Sequence, residues 1–155
     1  MTHTFPFRPM EERDIAAVHD LDKICQGNPW TPAHFRDEVA RGDSGLSLVW
    51  QESEPAIDGY LCVWTAADEL HVGTVGVNPL RRRSGIGRSL MGLAHEWATS
   101  RGAVLAHLEV RAGNHAAIAL YTGLGYRRVG IRRAYYSDNG EDAHLLMREL
   151  GSLPA

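Results

Sequence analysis

Arg82-Arg83-Ser84-Gly85-Ile86-Gly87-Arg88 stands between an apolar, strand-like run and the start of an amphipathic helical pattern. Two glycines spaced by one residue let the backbone turn its N–H groups inward, and the helix that follows adds unpaired N–H groups and the positive end of its dipole. The segment is suited to hold an anion, phosphate above all; the alternative is a plain strand-to-helix turn that binds nothing. No Lys-Ser/Thr follows the glycines, so this is not a P-loop, and the spacing is not the G-x-G-x-x-G of a dinucleotide fold. A pyrophosphate of another kind is implied.

Outward from this turn, the period of the apolar residues changes on both sides. Upstream, Leu46–Gln51, Ala56–Thr65 and Glu69–Val77 are rich in β-formers and separated by polar breaks, which predicts a meander of antiparallel strands. Before them, Glu11–Gln26 carries Ile15, Val18, Leu21, Asp22 and Cys25 at helical steps, a mainly apolar face, and stops at Gly27-Asn28-Pro29. Thr31-Pro32 is an N-cap followed by a first-turn proline, so a second short helix should run to about Arg41 and end at Gly42. Downstream, Ile86, Leu90, Leu93, Ala94 and Trp97 mark one helix face, with Gly102 just past its end. Ala103–Val110 then reads as a strand and Asn114–Leu124 as an Ala-rich helix. Two more strands, Tyr126–Arg132 and Ala143–Leu150, flank the polar turn Ser137-Asp138-Asn139-Gly140. Strands and helices alternate in one sheet-based α/β layer architecture.

At 155 residues, 44% of them hydrophobic, the chain has the size of one domain with one core, and a single domain over 1–155 is expected. Met1–Met10 has no long apolar run, and no segment approaches the roughly 18 apolar residues of a membrane span. A cytoplasmic monomer without a membrane partner is the expectation. The net charge of −3 argues against a general nucleic-acid binder. Basic residues cluster locally instead: Arg81, Arg82, Arg83 and Arg88 around the glycine turn, and Arg127, Arg128, Arg132 and Arg133 further on. Cys25 and Cys62 form no C-x-x-C pair and read as reduced, packed thiols. His19, His34, His71, His95, His107, His115 and His144 fit no metal-binding motif, so no metal is expected.

Glu109 is a carboxylate near the end of the apolar run Val104–Leu108. It is either solvated at a strand end or held near a ligand as an acid or base. Tyr121 could be core among Ile118, Leu120 and Leu124, or its phenol could donate a proton. Gly76, inside Val72–Val77, marks a tight packing spot or a close backbone approach by a ligand. Tyr135-Tyr136, with Asp138, Glu141 and Asp142 nearby, is a polar hairpin tip or a surface offering rings and carboxylates to a basic peptide.

Taken together, Glu69–Val77 (ELHVGTVGV), Asn78–Leu90 (NPLRRRSGIGRSL) and Leu108–Tyr126 (LEVRAGNHAAIALYTGLGY), followed by Ile131–Tyr136 (IRRAYY) and Glu141–Ala143 (EDA), resemble the GCN5-related N-acetyltransferases, the GNAT superfamily. Within it they are most similar to the bacterial ribosomal-protein-alanine N-acetyltransferases. The resemblance is tight over Glu69–Leu150 and looser before, although Asn28-Pro29-Trp30-Thr31 is similar to the family's loop between its first two helices. It implies a GNAT fold: one mixed, mostly antiparallel sheet, splayed between its fourth and fifth strands around acetyl-CoA and flanked by about four helices. It further implies that Val75, Gly76 and Val77 lend backbone groups to the acetyl and pantetheine arm. Arg82, Arg83, Ser84, Gly85, Ile86, Gly87 and Arg88 would cradle the pyrophosphate, and Asn114 would contact the cosubstrate. Glu109 would be the general base and Tyr121 the general acid on the leaving sulfur, with Pro29, Trp30, Tyr135 and Tyr136 facing the acceptor. The sequence has Arg82 where Gln or Arg is usual and Gly76 where Ala is common.

The resemblance implies as acceptor a protein N-terminus, the alanine of small ribosomal subunit protein eighteen. Chemistry favours it: an α-amine near 7.7–8.0 is roughly 2.5 units easier to deprotonate than a Lys side chain near 10.4, about 3 kcal/mol in the chemical step. The alternatives are a small-molecule amine, a Lys side chain, or a non-catalytic acetyl-CoA sensor.

Overall fold

A computed structural model describes residues 5–151. Eleven regular elements follow one another: β1 (Phe7–Pro9), α1 (Ile15–Cys25), α2 (Pro32–Val39), β2 (Gly45–Trp50), β3 (Gly59–Ala66), β4 (Glu69–Val77), α3 (Ile86–Ser100), β5 (Leu105–Arg111), α4 (His115–Gly123), β6 (Arg127–Arg132) and β7 (Ala143–Glu149). The seven strands form one open, mixed and mostly antiparallel sheet in the order β1-β2-β3-β4-β5-β7-β6. The chain divides into two compact units, the first made of Met1–Trp64 and Gly73–Gly92, the second of Thr65–Val72 and Leu93–Ala155.

In the first unit, β1 pairs antiparallel with β2, and β2 with β3. Strand β1 is one the sequence pattern does not announce, because three residues ending in a proline carry no period. Its hold comes from Arg8, whose guanidinium makes a two-pronged contact with Asp14 (2.7 and 2.8 Å) and reaches Gln51 at 3.1 Å. The core gathers Met10, Ile15, Val18, Leu21, Phe35, Val49, Ile57, Tyr60 and Cys62. The expected N-cap of α2 is present, with the Thr31 hydroxyl accepting from His34 N–H at 3.1 Å.

In the second unit, β4 joins β5 in parallel, Glu69, Leu70 and His71 lying against Leu105, Ala106 and His107. β7 inserts antiparallel between β5 and β6, and the β6–β7 register slips between Arg128 and Gly130. The inward residues Ala106, Leu108 and Val110 of β5 are buried, which leaves His107, Glu109 and Arg111 on the opposite, partly open face.

Helix α3 carries a glycine in its interior. A Cβ at Gly92 would meet nothing within 4 Å, so alanine there adds no clash while removing the backbone freedom that makes glycine a poor helix former by about 0.8–1.0 kcal/mol. Gly92→Ala should raise Tm by roughly 2–4 °C. Scanning calorimetry checks this, and a lowered Tm would contradict it.

Candidate active site

In the first unit the turn expected to bind an anion takes left-handed backbone at Gly85, whereas Gly87 lies within α3. Arg83 holds φ +66° and Gly85 φ +85°, both in the left-handed region, and alternation of this kind points successive N–H groups into one concavity. A Cβ added at Gly85 would lie in open space. The Gly85 carbonyl accepts from Ser89 N–H at 2.9 Å, so α3 starts immediately and its first-turn N–H groups, from Ile86 to Arg88, have no partner within the helix. Ser84 turns its hydroxyl back to the Arg81 carbonyl, tightening the loop. Arg82, Arg83 and Arg88 are exposed.

Arg82 also reaches the end of β4: its Nε donates to the Val77 carbonyl at 3.3 Å, which the Cys25 thiol shares at 3.4 Å, while Gln26 Nε2 donates to the Val75 carbonyl at 3.0 Å. The backbone acceptors of Val75 and Val77 thus face polar side chains. Gly76 has a packing reason: a Cβ there would stand 2.5 Å from the Tyr60 hydroxyl. Tyr60 is fully buried and donates to Asp22.

Asp22 is a hub that helical spacing alone does not reveal. Fully buried on α1, its carboxylate accepts from the Tyr60 hydroxyl, from Thr74 Oγ1 at 3.2 Å and from Trp30 N–H at 2.8 Å. It therefore ties the Pro29–Trp30 loop to the strands. The Trp30 ring stacks on His34 (centroids 3.7 Å) and fills the space above Gly73, where a Cβ would meet it at 2.8 Å.

In the second unit Glu109 projects from β5 with its side chain one-third exposed. Arg132 Nε lies 3.3 Å from its Oε1, and the Tyr135 phenol hydrogen-bonds to it, which raises the phenol's pKa above the ordinary value. Tyr136 instead lies under Arg111, whose guanidinium carbon is 4.0 Å from the ring centroid. Arg111 also binds Asp138 (2.9 Å) and Glu141 (3.3 Å), and Glu141 accepts from Gly113 N–H at 2.6 Å. The carboxylates of Asp138 and Glu141 are thus engaged within the hairpin rather than offered outward to a basic peptide. Asn114 caps α4, its Oδ1 accepting from Ala117 N–H at 3.2 Å.

Tyr121 is buried on α4, and desolvation pushes its pKa above the ordinary value, so the phenol keeps its proton. Its ring meets Tyr126 at 5.9 Å, and Tyr126 bonds to His95 Nε2 at 2.7 Å, with Arg148 Nη1 2.9 Å from His95 Nδ1. A guanidinium can only donate, so Nδ1 accepts and Nε2 carries the hydrogen given to Tyr126. Burial, aided by Arg148, pushes the His95 pKa down to about 4. The unfolded imidazole takes its proton near 6.5, so the stability from neutral His95 is full above pH 6.5 and is lost as pH falls toward 4, on the order of 3 kcal/mol. Urea melts across this window should show a flatter acid limb for His95→Gln than for the unsubstituted protein. Parallel limbs would refute the assignment.

Burial raises both cysteine pKa values, that of Cys62 to about 12, so neither thiol is poised as a nucleophile. One cluster escapes sequence spacing altogether: the pairing of β4 with β5 gathers Glu69, His71 and His107 with their ligand-capable atoms within 4.8 Å of one another.

Comparison with known proteins places these features. The model of the acetyltransferase (GNAT) family matches residues 15–126. N-alpha-acetyltransferase RimI of Mycobacterium tuberculosis is 39% identical over 128 residues, covering 80% of this chain and 78% of that protein. The ribosomal protein bS18-alanine N-acetyltransferase of Escherichia coli is 31% identical over 139 residues, with 88% and 92% covered. The crystal structure of the ribosomal-protein-S18-alanine N-acetyltransferase from Escherichia coli superposes with a TM-score of 0.82 at 28% identity, covering 96% of this chain and 95% of that one. The expected sheet, helices and glycine turn therefore have their explanation in descent: the chain belongs to the acetyltransferase (GNAT) family and is an acetyl-CoA-dependent N-acetyltransferase.

Proposed function

We propose that this enzyme transfers acetyl to the N-terminal α-amine of a protein, the alanine of small ribosomal subunit protein eighteen, acting as one cytoplasmic, monomeric domain over residues 1–155. The observation that carries the reading is the exposed carboxylate of Glu109, bridged to Arg132 and Tyr135 on one face of β5. It is supported by the names of the relatives, which specify a ribosomal protein's alanine.

In this reading Arg82–Arg88 hold the pyrophosphate through backbone N–H groups and guanidinium charge. Val75 to Val77 supply backbone groups to the pantetheine arm and the acetyl carbonyl, and Asn114 offers its amide nitrogen while Oδ1 stays on the helix cap. Glu109 takes one proton from the acceptor ammonium, directly or through a water, and leaves the neutral amine to attack the thioester carbonyl. As the new C–N bond forms and the C–S bond breaks, Tyr121 gives its phenolic proton to the departing sulfur, and the second proton that nitrogen sheds on becoming an amide returns to the phenolate through water. Pro29-Trp30, braced by Asp22, and Tyr135-Tyr136 shape the acceptor's path. No step requires a metal.

Tyr121→Phe keeps the ring and deletes only the hydroxyl, so kcat should fall roughly 10²-fold with stability nearly unchanged. Stopped assays with acetyl-CoA measure it, and wild-type turnover would return the proton to water. For the acceptor, mass spectrometry of ribosomal proteins from cells with and without the gene should show one N-terminal alanine losing its acetyl group. Peptides beginning with alanine should be acetylated while aminoglycosides, polyamines and N-terminally blocked lysine peptides are not. Preference for any of the latter overturns the proposal.

A further inference from the structure

Glu69 and His71 stand two residues apart on β4 and so share a face of the sheet. The parallel register sets His107 of β5 directly against His71, on that same face. The two imidazoles meet edge to face with centroids 4.1 Å apart, and His107 Nε2 lies 3.8 Å from Glu69 Oε1. All three side chains are half-buried, and their ligand-capable atoms lie within 4.8 Å of one another. Two imidazole nitrogens and one carboxylate oxygen are the donor set of a three-ligand zinc site, whose fourth tetrahedral position is left to water. Closing 4.8 Å to the roughly 3.3 Å between ligands around a zinc ion with bonds near 2.0–2.1 Å needs only side-chain rotation, and Glu69, with the longest chain, can supply most of it.

We propose that Glu69, His71 and His107 form a binding site for one Zn²⁺ ion on this sheet face. Imidazole nitrogen selects a late first-row divalent ion over Mg²⁺ or Ca²⁺, which take oxygen ligands. The ligands come from paired strands rather than a mobile loop, so the site is preorganised. The ion would join β4 to β5 where hydrogen bonds already hold them, and it would stabilise the folded chain, because these three residues converge only when the strands pair. None of the residues assigned to acetyl transfer supplies a ligand, although His107 stands two residues from Glu109 on the same face of β5.

Titration calorimetry of the untagged, chelator-treated full chain with ZnCl₂ tests this. The expected result is one ion per chain, a Tm that rises with ZnCl₂ concentration, and no response to MgCl₂. His71→Gln and His107→Gln should each weaken binding by roughly 100-fold or more, beyond the 10–100-fold typical of losing a mere outer-shell partner, with circular dichroism unchanged. Cys25→Ser controls for the half-buried thiol and should leave the affinity intact. The proposal fails if the unsubstituted chain binds no stoichiometric Zn²⁺, if folded His107→Gln retains the affinity, or if Cys25→Ser abolishes it. Should a His→Gln variant not fold, Glu69→Gln must still show the loss, since it keeps the size and shape of the half-buried side chain and removes only its charge.

Discussion

Glu109→Gln should lower kcat by roughly 10²–10⁴-fold while leaving acetyl-CoA affinity little changed. Glutamine keeps the size and the planar head of the side chain and removes its ability to take a proton. The effect on the fold is small: the Glu109–Arg132 contact is half-exposed, and ion pairs of that kind contribute about 0–1 kcal/mol. A kcat loss equivalent to several kcal/mol therefore cannot come from lost stability. The pH profile separates chemistry from geometry. An α-amine with a pKa near 7.7–8.0 loses its proton to solvent as the pH rises, so the deficit of the variant should shrink toward pH 9. A displaced acceptor would give a deficit that is constant with pH and a raised KM. Steady-state kinetics from pH 6.5 to 9 with an alanine-initiated peptide distinguish the two, and unaltered kcat throughout would remove Glu109 from the mechanism.

What could be read in the sequence was local in origin. β4 runs from Glu69 to Val77 as its composition predicts, α2 starts at a Thr31 cap, and α3 begins at Ile86, directly after Gly85. These elements are specified by neighbours in the chain: caps, breakers and a single hydrophobic period. The features that escaped are those assembled by pairing. β1 is too short to have a period and is fixed by Arg8 reaching Asp14 and Gln51. Asp22 falls on the mainly apolar face of α1 by spacing, but only the approach of Tyr60, Thr74 and Trp30 makes it a buried acceptor. Glu69, His71 and His107 share no motif because β-register, not spacing, joins them.

Residues of the candidate site divide along the same line. The strain at Gly85 was legible, since glycine in such a turn signals positive φ. The reason for Gly76 was not, because it depends on a tyrosine from β3 standing where a Cβ would be. Likewise Asp138 and Glu141 look like free acidic groups in the sequence, and it is Arg111 on β5 that claims both. His95, one of a neighbouring His-Glu pair on α3 by sequence, becomes a neutral link between Arg148 and Tyr126 once burial has removed its charge.

Gly85→Val should abolish measurable acetyl-CoA binding in a chain that still folds. At φ +85° a β-branched residue is badly strained, at a cost of about 1–3 kcal/mol, which is less than the 5–15 kcal/mol stability of an ordinary domain. Apart from its chain neighbours no atom lies within 4 Å of the added Cβ, so packing does not oppose the substitution, and the branched side chain is expected to occupy the space the pyrophosphate needs. Losing two charge-assisted hydrogen bonds of about 1.5–3 kcal/mol each would weaken binding by roughly 10²–10⁴-fold. Gly85→Ala bears the same backbone demand with a smaller side chain and should fall between. A pantetheine fragment without the pyrophosphate isolates the cause: it should bind the variant and the unsubstituted protein alike, because it makes no contact with Arg82–Arg88. Calorimetry with both ligands, alongside circular dichroism to confirm folding, provides the measurement. If folded Gly85→Val binds acetyl-CoA with unchanged affinity, the pyrophosphate lies elsewhere; if the fragment weakens in parallel with acetyl-CoA, the substitution has disturbed β4 rather than the turn.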